Sequence, residues 1–311
     1  MPGLDANSTT DDVLRGVDLS GKRVLVTGAS GGLGRETARA LAAAGATVVL
    51  AARSVEKTHA AVLSIREQLP AAALESLQLD LASLASVRRF AASFLSVHDR
   101  LDLLINNAGV MATPFGHTAD GFELQLGTNH LGHFLLTGLL APAVLAAAPS
   151  RIVNLTSGGH LISDIHWDDP NFAQHPYEKW TAYGQSKTAN VLFTVELERR
   201  LGARGMHAFA VHPGMIKTDL GRHLTRDDFA ALQTMAESAP GEGGLPPFKS
   251  IPQGAATTVW AATAPELAGH GGTYLADCAI SSEHAAWATD ADAAQRLWTL
   301  SERLVGQSFA P

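Results

Sequence analysis

The chain has 311 residues, 46% hydrophobic and 17% charged, enough to enclose a large core and more typical of one α/β domain than of several small ones. Its 23 Lys and Arg are outnumbered by 30 Asp and Glu, and the net charge of -7 would repel nucleic acid and anionic membranes. A single cysteine, Cys278, cannot form an internal disulfide, and no Cys/His spacing suits zinc; the expectation is a reducing cytoplasm, with Cys278 a small packed residue.

Residues 1–10 are polar and small, without the basic patch and apolar stretch of a secretion signal. They read as a frayed tail in an N-terminal extension, 1–19, ahead of one domain over 20–311. Short apolar runs then alternate with longer Ala- and Leu-rich helical patterns, the signature of βαβ units around a parallel sheet. Strands are expected near 22–27, 46–51, 74–79, 101–106, 150–156, 206–211 and 272–276. Helices over 33–44 and 183–201 end at Gly45 and Gly202 in the usual stop position. The expected fold class is therefore α/β: one doubly wound parallel sheet of about seven strands with helices on both faces. The longest apolar run, about 134–148, contains Pro142 and is shorter than the ~20 residues that span a bilayer. It reads as a buried or subunit-facing helix, and no membrane association is expected.

The first strand runs through Thr27-Gly28-Ala29-Ser30-Gly31-Gly32-Leu33-Gly34 directly into a helix. Glycines there permit a tight turn, let backbone N–H groups approach a pyrophosphate, and leave the positive helix end facing it. The second strand ends at Ala52-Arg53, where a ribose-binding acid would favour NAD. Arg53 instead offers a fork of donors suited to a 2′-phosphate, with Ser30 as a further hydroxyl contact, so NADP(H) is the expected cofactor.

The spacing Gly28-x-x-x-Gly32-x-Gly34 is not the ordinary dinucleotide fingerprint and resembles the short-chain dehydrogenase/reductase family. Asn106-Asn107-Ala108-Gly109, Asn129, Tyr183-x-x-x-Lys187 and His212-Pro213-Gly214 follow in the family's order, over roughly residues 20–280. The resemblance implies that Asp80 and Leu81 border the adenine and that Asn107, Ala108 and Gly109 line the cofactor pocket. It also implies that Pro213, Gly214, Ile216 and Thr218 flank the nicotinamide, that Lys187 bonds the nicotinamide ribose, and that Asn129 holds a water linking the lysine to solvent.

Tyr183 and Lys187 are four residues apart, hence on one helix face. A free tyrosine, with pKa near ~10, is a poor base at neutral pH. At an effective dielectric of ~20 and a separation of roughly 5.5 Å, Lys187 would stabilise the phenolate by about 3 kcal/mol, enough to bring it toward the working range. Ser157 closes the fifth strand, at the carboxyl edge where ligands of open α/β sheets collect, and should orient a substrate oxygen. These four residues, Asn129, Ser157, Tyr183 and Lys187, are the candidate catalytic set for hydride exchange between a nicotinamide and an alcohol/carbonyl pair.

Ser157 and Tyr183 are 26 positions apart, about twice the separation common in the family. The insertion, 158–182, carries Ile162, Ile165, Trp167, Phe172, Tyr177 and Trp180, read partly as packing and partly as substrate-pocket wall. With Asn129-His130-Leu131-Gly132-His133-Phe134 it resembles the branch that holds the retinol dehydrogenases, WW-domain oxidoreductase and protochlorophyllide reductase. A lid is expected over about 218–252: a helix over 225–237 with Phe229, Leu232 and Met235 on one side, then a Pro/Gly-rich loop over 238–252. These features suggest a bulky lipophilic substrate, whereas the absence of an N-terminal anchor argues against a retinoid or membrane lipid. His160, His166 and His175, with Asp164, Asp168 and Asp169, match no metal-ligand spacing and read as a solvated polar loop. Two other readings stay open: an NADPH-binding regulatory protein without catalysis, and a nucleotide-sugar epimerase. The complete proton-transfer set weighs against the first, the glycine spacing against the second. By family analogy the chain should form a dimer or tetramer through the helices near 129–148 and the helix that follows.

Overall fold

Alternate residues of the first strand bury on opposite faces: Val24 and Val26 join one apolar core, Leu25 the other. Val48 and Leu50 against Val49 and Ala51 repeat the split one strand over, as the period of two requires when both faces of a parallel sheet are covered. The computed structural model describes residues 3–228, 230, 234 and 247–309. Its eight-stranded sheet is built from β1 (Arg23–Thr27), β2 (Thr47–Ala52), β3 (Leu74–Gln78), β4 (Leu103–Asn106), β5 (Ser150–Leu155), β6 (Met206–His212), β7 (Tyr274–Ala276) and β8 (Ala279–Ile280). The order is β3-β2-β1-β4-β5-β6-β7-β8, parallel except for β8 against β7. The chain reverses winding direction at β1, which pairs with β2 on one side and β4 on the other, and so opens a crevice at the carboxyl ends of those strands. Seven strands are those expected. The eighth escaped notice because it is two exposed residues reached through a tight turn at Asp277 and Cys278, both with positive φ.

Eight helices among the described residues cover the sheet: α1 (Thr10–Val13), α2 (Gly32–Ala43), α3 (Val55–Gln68), α4 (Leu84–Leu95), α5 (124–146), α6 (Lys179–Leu201), α7 (Ile251–Thr263) and α8 (Ala291–Val305). Leu41, Val62 and Val259 from α2, α3 and α7 fill one face; Phe94, Phe134, Phe193 and Trp298 from α4, α5, α6 and α8 fill the other. Their starts are locally encoded, with Ser54, Ser83, Glu178, Ser250 and Asp290 accepting first-turn N–H bonds. α5 is longer than its apolar run suggested, 23 residues, but 67% of its most apolar window, with a mean hydropathy of 1.2, is buried inside the protein. It serves as a core helix and carries a π-helical turn at Gly127–Leu131.

Four expectations are corrected. Residues 9–13 are not frayed: Thr9 and Asp12 form a capping box, buried Thr10 donates to Glu36 at 2.6 Å, and Arg39 donates to Asp11 at 2.7 Å, which docks α1 on α2. Gly202 does not terminate its helix in a left-handed conformation; the chain tightens through Gly202–Arg204 and turns at Gly205, with φ of 81°. Part of the α5 face suggested for self-association is covered by the chain itself, while Pro142 and Ala146 stay exposed. Phe309 lies where a Cβ on Gly138 would be, Trp298 meets Phe134 edge-on at 5.0 Å, and Arg200 stacks on Trp298. Finally, the His/Asp loop is only partly solvated: Asp168 and His175 are exposed, but His160 and Asp169 are buried, and Asp169 accepts from the backbone N–H groups of Ala173, Gln174 and His175 and pairs with the His175 ring.

Candidate active site

β1 delivers the glycine turn to the mouth of the crevice. Gly28, at φ of 67°, has no room for a side chain, since a Cβ would lie 2.9 Å from the Ala108 Cα. At Gly34 a Cβ would come within 2.5 Å of both the Asn107 side-chain nitrogen and the Gly28 carbonyl oxygen. Gly31 and Gly32 differ. A Cβ on Gly31 would meet nothing within 4 Å, and Gly31 caps α2 with no side-chain acceptor, so the first-turn N–H groups of α2 face open space. A close turn followed by an uncapped helix start fits a dinucleotide pyrophosphate.

The other predicted cofactor residues gather around this turn, with some roles redistributed. Ser30 and Leu33 are half-buried, and Arg53, exposed at the end of β2, makes no side-chain hydrogen bond or ion pair among the described residues. Asp80 is half-buried and uses one carboxylate oxygen to accept from Ala82 N at 3.0 Å. Leu81 is pressed against Gly132, where a Cβ would lie 2.5 Å from its carbonyl oxygen, so it packs beneath α5 while Asp80 stays accessible. Asn107 turns inward, its amide donating to the Thr27 carbonyl at 2.7 Å, and buttresses the glycine turn. Gly109 leaves a gap that a Cβ would close, 3.2 Å from Asn129 Oδ1 and 3.7 Å from Lys187 Nζ.

Ser157 follows β5 and Tyr183 sits in the second turn of α6, and their side chains meet at Gly159, where a Cβ would lie 2.7 Å from the Tyr183 ring and 3.5 Å from Ser157 Oγ. Ser157 Oγ also accepts from Gly159 N at 3.1 Å. Lys187 Nζ lies 5.6 Å from the centroid of the Tyr183 ring and donates to the Leu155 carbonyl at 3.2 Å. Asn129 is in the π-turn of α5, where the widened helix lets its side chain accept from Val110 N and donate to Val110 O and Ser186 Oγ. That amide is fully committed to pinning the loop after β4 onto α6.

Burial adds an effect that the residue spacing does not contain. Tyr183 and Lys187 are both buried, and burial pushes the Tyr183 phenol up to about 12, with the Ser157 hydroxyl opposing; it also pulls the Lys187 ammonium down to about 8. Loss of hydration disfavours the charged form of each partner.

The strand β6 leads into His212-Pro213-Gly214, with His212 Nδ1 accepting from Gly158 N at 3.1 Å and Gly214 at φ of 88° packed on the Lys249 stem. Pro213 and Gly214 are half-buried, and Ile216 pairs with Lys249 and fills the space above Gly254 beside Leu33. Thr218 reaches back to within 3.5 Å of a Cβ position on Gly32, so the loop after β6 lies over the glycine turn. Of the predicted lid, Phe229, Leu232, Met235 and the loop 238–246 lie outside the described residues. Its start is held to α6, where Asp228 accepts from Thr225 and pairs with Lys179.

Residues 22–228 match the family model for short chain dehydrogenases. The chain belongs to the short-chain dehydrogenase family. It lies in the retinol dehydrogenase-like branch: retinol dehydrogenase 13 of Homo sapiens is 44% identical over 288 residues, covering 93% of this chain and 86% of that protein. Short-chain dehydrogenase/reductase prx1 of Penicillium roqueforti is 41% identical, covering 99% of this chain and 92% of that protein. Among solved structures, an uncharacterized protein from Mycobacterium paratuberculosis superposes with a TM-score of 0.76 at 36% identity, covering 98% of this chain and all of that one. The Pseudomonas aeruginosa RhlG/NADP complex gives 0.64 at 27% identity over 83% of this chain and 95% of that one.

In this short-chain dehydrogenase the insertion divides into wall and prop. Trp180 sits edge-on to Tyr183 at 6.4 Å and, with Met111, Ala112 and Leu224, forms a small apolar cluster around the Tyr183 ring. Ile165 and Trp167 pack toward α8, Trp167 beneath Arg296, and Phe172 and Tyr177 pack on each other. Ile162 is exposed. No His/Cys/Asp/Glu group suited to a metal occurs among the described residues.

Sequence reasoning missed His160, which holds the Ser157 loop from behind. Its Nδ1 donates to the Ser157 carbonyl at 2.6 Å, and its Nε2 accepts from Ala285 N at 3.2 Å. It also missed His133, one turn from Asn129; the four-residue spacing on one helix was the available signal.

Proposed function

We propose that this protein is an NADP(H)-dependent oxidoreductase that interconverts a lipophilic alcohol and its ketone or aldehyde, with Tyr183 as acid/base. The observation that carries this reading is the juxtaposition of Ser157 and Tyr183 with Lys187 behind the ring, at the carboxyl edge of the sheet and beside a glycine turn shaped for a pyrophosphate. A bound nicotinamide dinucleotide would supply or accept the hydride. Ser157 Oγ orients the substrate oxygen, and the Tyr183 phenol, held protonated by burial, donates its proton to that oxygen in reduction and recovers it in oxidation. Lys187 supplies positive charge that stabilises the tyrosinate left by proton donation. With the lysine at about 8, reduction should slow above that pH as the charge is lost.

NADP(H) over NAD(H) rests on Arg53, which stands without a protein partner where the 2′-phosphate would lie; RhlG, at 27% identity, was solved with NADP. The apolar cluster of Met111, Ala112, Trp180 and Leu224 supports a lipophilic carbonyl, in keeping with relatives named for retinol. The test follows absorbance of NADPH and NADH with a panel of small and bulky carbonyl compounds, for wild type and Arg53→Ala. Faster NADPH consumption by wild type, with the advantage reduced about tenfold or more in the variant, is expected for a lost charge-assisted contact. NADPH binding without turnover of any carbonyl would favour the regulatory reading instead.

A further inference from the structure

His133 is buried in α5 and bridges two regions that belong to different parts of the site. Its Nδ1 lies 2.9 Å from the Asn129 carbonyl oxygen, which can only accept, so Nδ1 carries the proton. In the neutral ring Nε2 is then an acceptor, and at 2.9 Å it takes the hydroxyl proton of Thr27. Thr27 Oγ1 in turn accepts from Asn107 N at 2.9 Å and Ala108 N at 3.0 Å. All bonds in this path run in one direction: the loop after β4 to Thr27, Thr27 to His133, and His133 to the π-turn that carries Asn129. Burial, with the charge of Lys187 adding to it, depresses the ring to about 4, so its polarity holds across the working pH range.

Both ends of the path matter to the reaction proposed above. Thr27 precedes Gly28 and, through Asn107 and Ala108, sets the floor against which the glycine turn packs. Asn129 pins Val110 and Ser186, hence the helix that carries Tyr183 and Lys187. We propose that His133 is a positioning residue that couples the dinucleotide-binding turn to the catalytic helix, its two ring nitrogens serving different halves of the site. The coupling rests on the oxidoreductase reading and adds a residue to it.

The two nitrogens can be tested separately. His133→Asn keeps an amide near Asn129 but cannot reach Thr27; His133→Gln reaches Thr27 but leaves the Asn129 carbonyl without its donor. His133→Asn should weaken NADPH affinity, measured by fluorescence titration, about five- to tenfold with a smaller change in kcat, as expected for one buried hydrogen bond. His133→Gln should lower kcat by a similar factor with affinity nearly unchanged. Combining His133→Asn with Thr27→Val should cost no more affinity than Thr27→Val alone. Equal losses of affinity and kcat in both variants, or additive costs in the double variant, would reduce His133 to a packing residue. If neither variant folds, amide exchange of wild type decides: NADPH should slow exchange in 124–133 as well as in 27–34, and protection confined to 27–34 overturns the coupling. Wild type that binds neither NADPH nor NADH refutes the oxidoreductase reading and the coupling with it. Wild type that binds and turns over, with variants indistinguishable from it, refutes the coupling alone.

Discussion

The dinucleotide side and the substrate side of the crevice are built on different principles. Around Gly28, Gly34 and Asn129 the Asn107 and Asn129 side-chain amides are hydrogen-bonded to the backbone and a Cβ on either glycine would clash, so the backbone is closely determined. Around Trp180, Met111 and Leu224 the contacts are apolar and few, and the flanking lid start is tied by a pair at Asp228. Rigidity sits where charge and hydride must be placed to a fraction of an ångström, and adaptable packing where a substrate must enter and leave.

Substitutions on the two sides should therefore fail differently. The largest effect is expected for Tyr183→Phe, with kcat down by about a hundred- to ten thousandfold and NADPH affinity unchanged in a binding titration. Lys187→Met should abolish most turnover yet stabilise the fold. A depressed lysine contributes stability only above its unfolded value of 10.5, and that stability is lost as pH falls through about 8. Denaturant titration at pH 7 should show a gain on the order of 3 kcal/mol for the variant, shrinking to nothing above pH 10.5. Gly34→Ala should cost about 1–3 kcal/mol by forcing Asn107 and Gly28 apart, and should weaken dinucleotide binding as well. Smallest is Leu224→Ala on the substrate side: about 1 kcal/mol or less in stability, with KM raised roughly three- to tenfold for a bulky carbonyl and unchanged for a small one. If Leu224→Ala destabilised the fold as much as Gly34→Ala, the contrast between the two sides would fail.

The part of the site that lies in short sequence spacings was readable in advance. Gly28 to Gly34 and Tyr183 to Lys187 each sit within a single turn or helix face, and β1, β2 and β4 to β7 announce themselves as short, largely apolar runs. What escaped depends on partners far apart in the chain: Thr27 with His133 across 106 positions and His160 with Ala285 across 125. The burial of Tyr183 was not legible for a related reason, because spacing gives the distance to Lys187 but not the dryness of the surroundings. The α1 helix had a local signal, the capping box of Thr9 and Asp12, but only four residues follow, too few to stand out before their docking on Glu36 and Arg39 is seen. The self-association surface was inferred by analogy, and α8 and Phe309 take up part of it.

The most direct test of the central claim follows the hydride itself, by single-turnover reduction of a bulky ketone with NADPH dideuterated at C4 and mass spectrometry of the product. Wild type should place one deuterium on the carbinol carbon, and Tyr183→Phe should bind the dinucleotide equally well but form product at least about a hundredfold more slowly. Product without deuterium, or equal rates in wild type and variant, would contradict hydride transfer with Tyr183 as its proton donor.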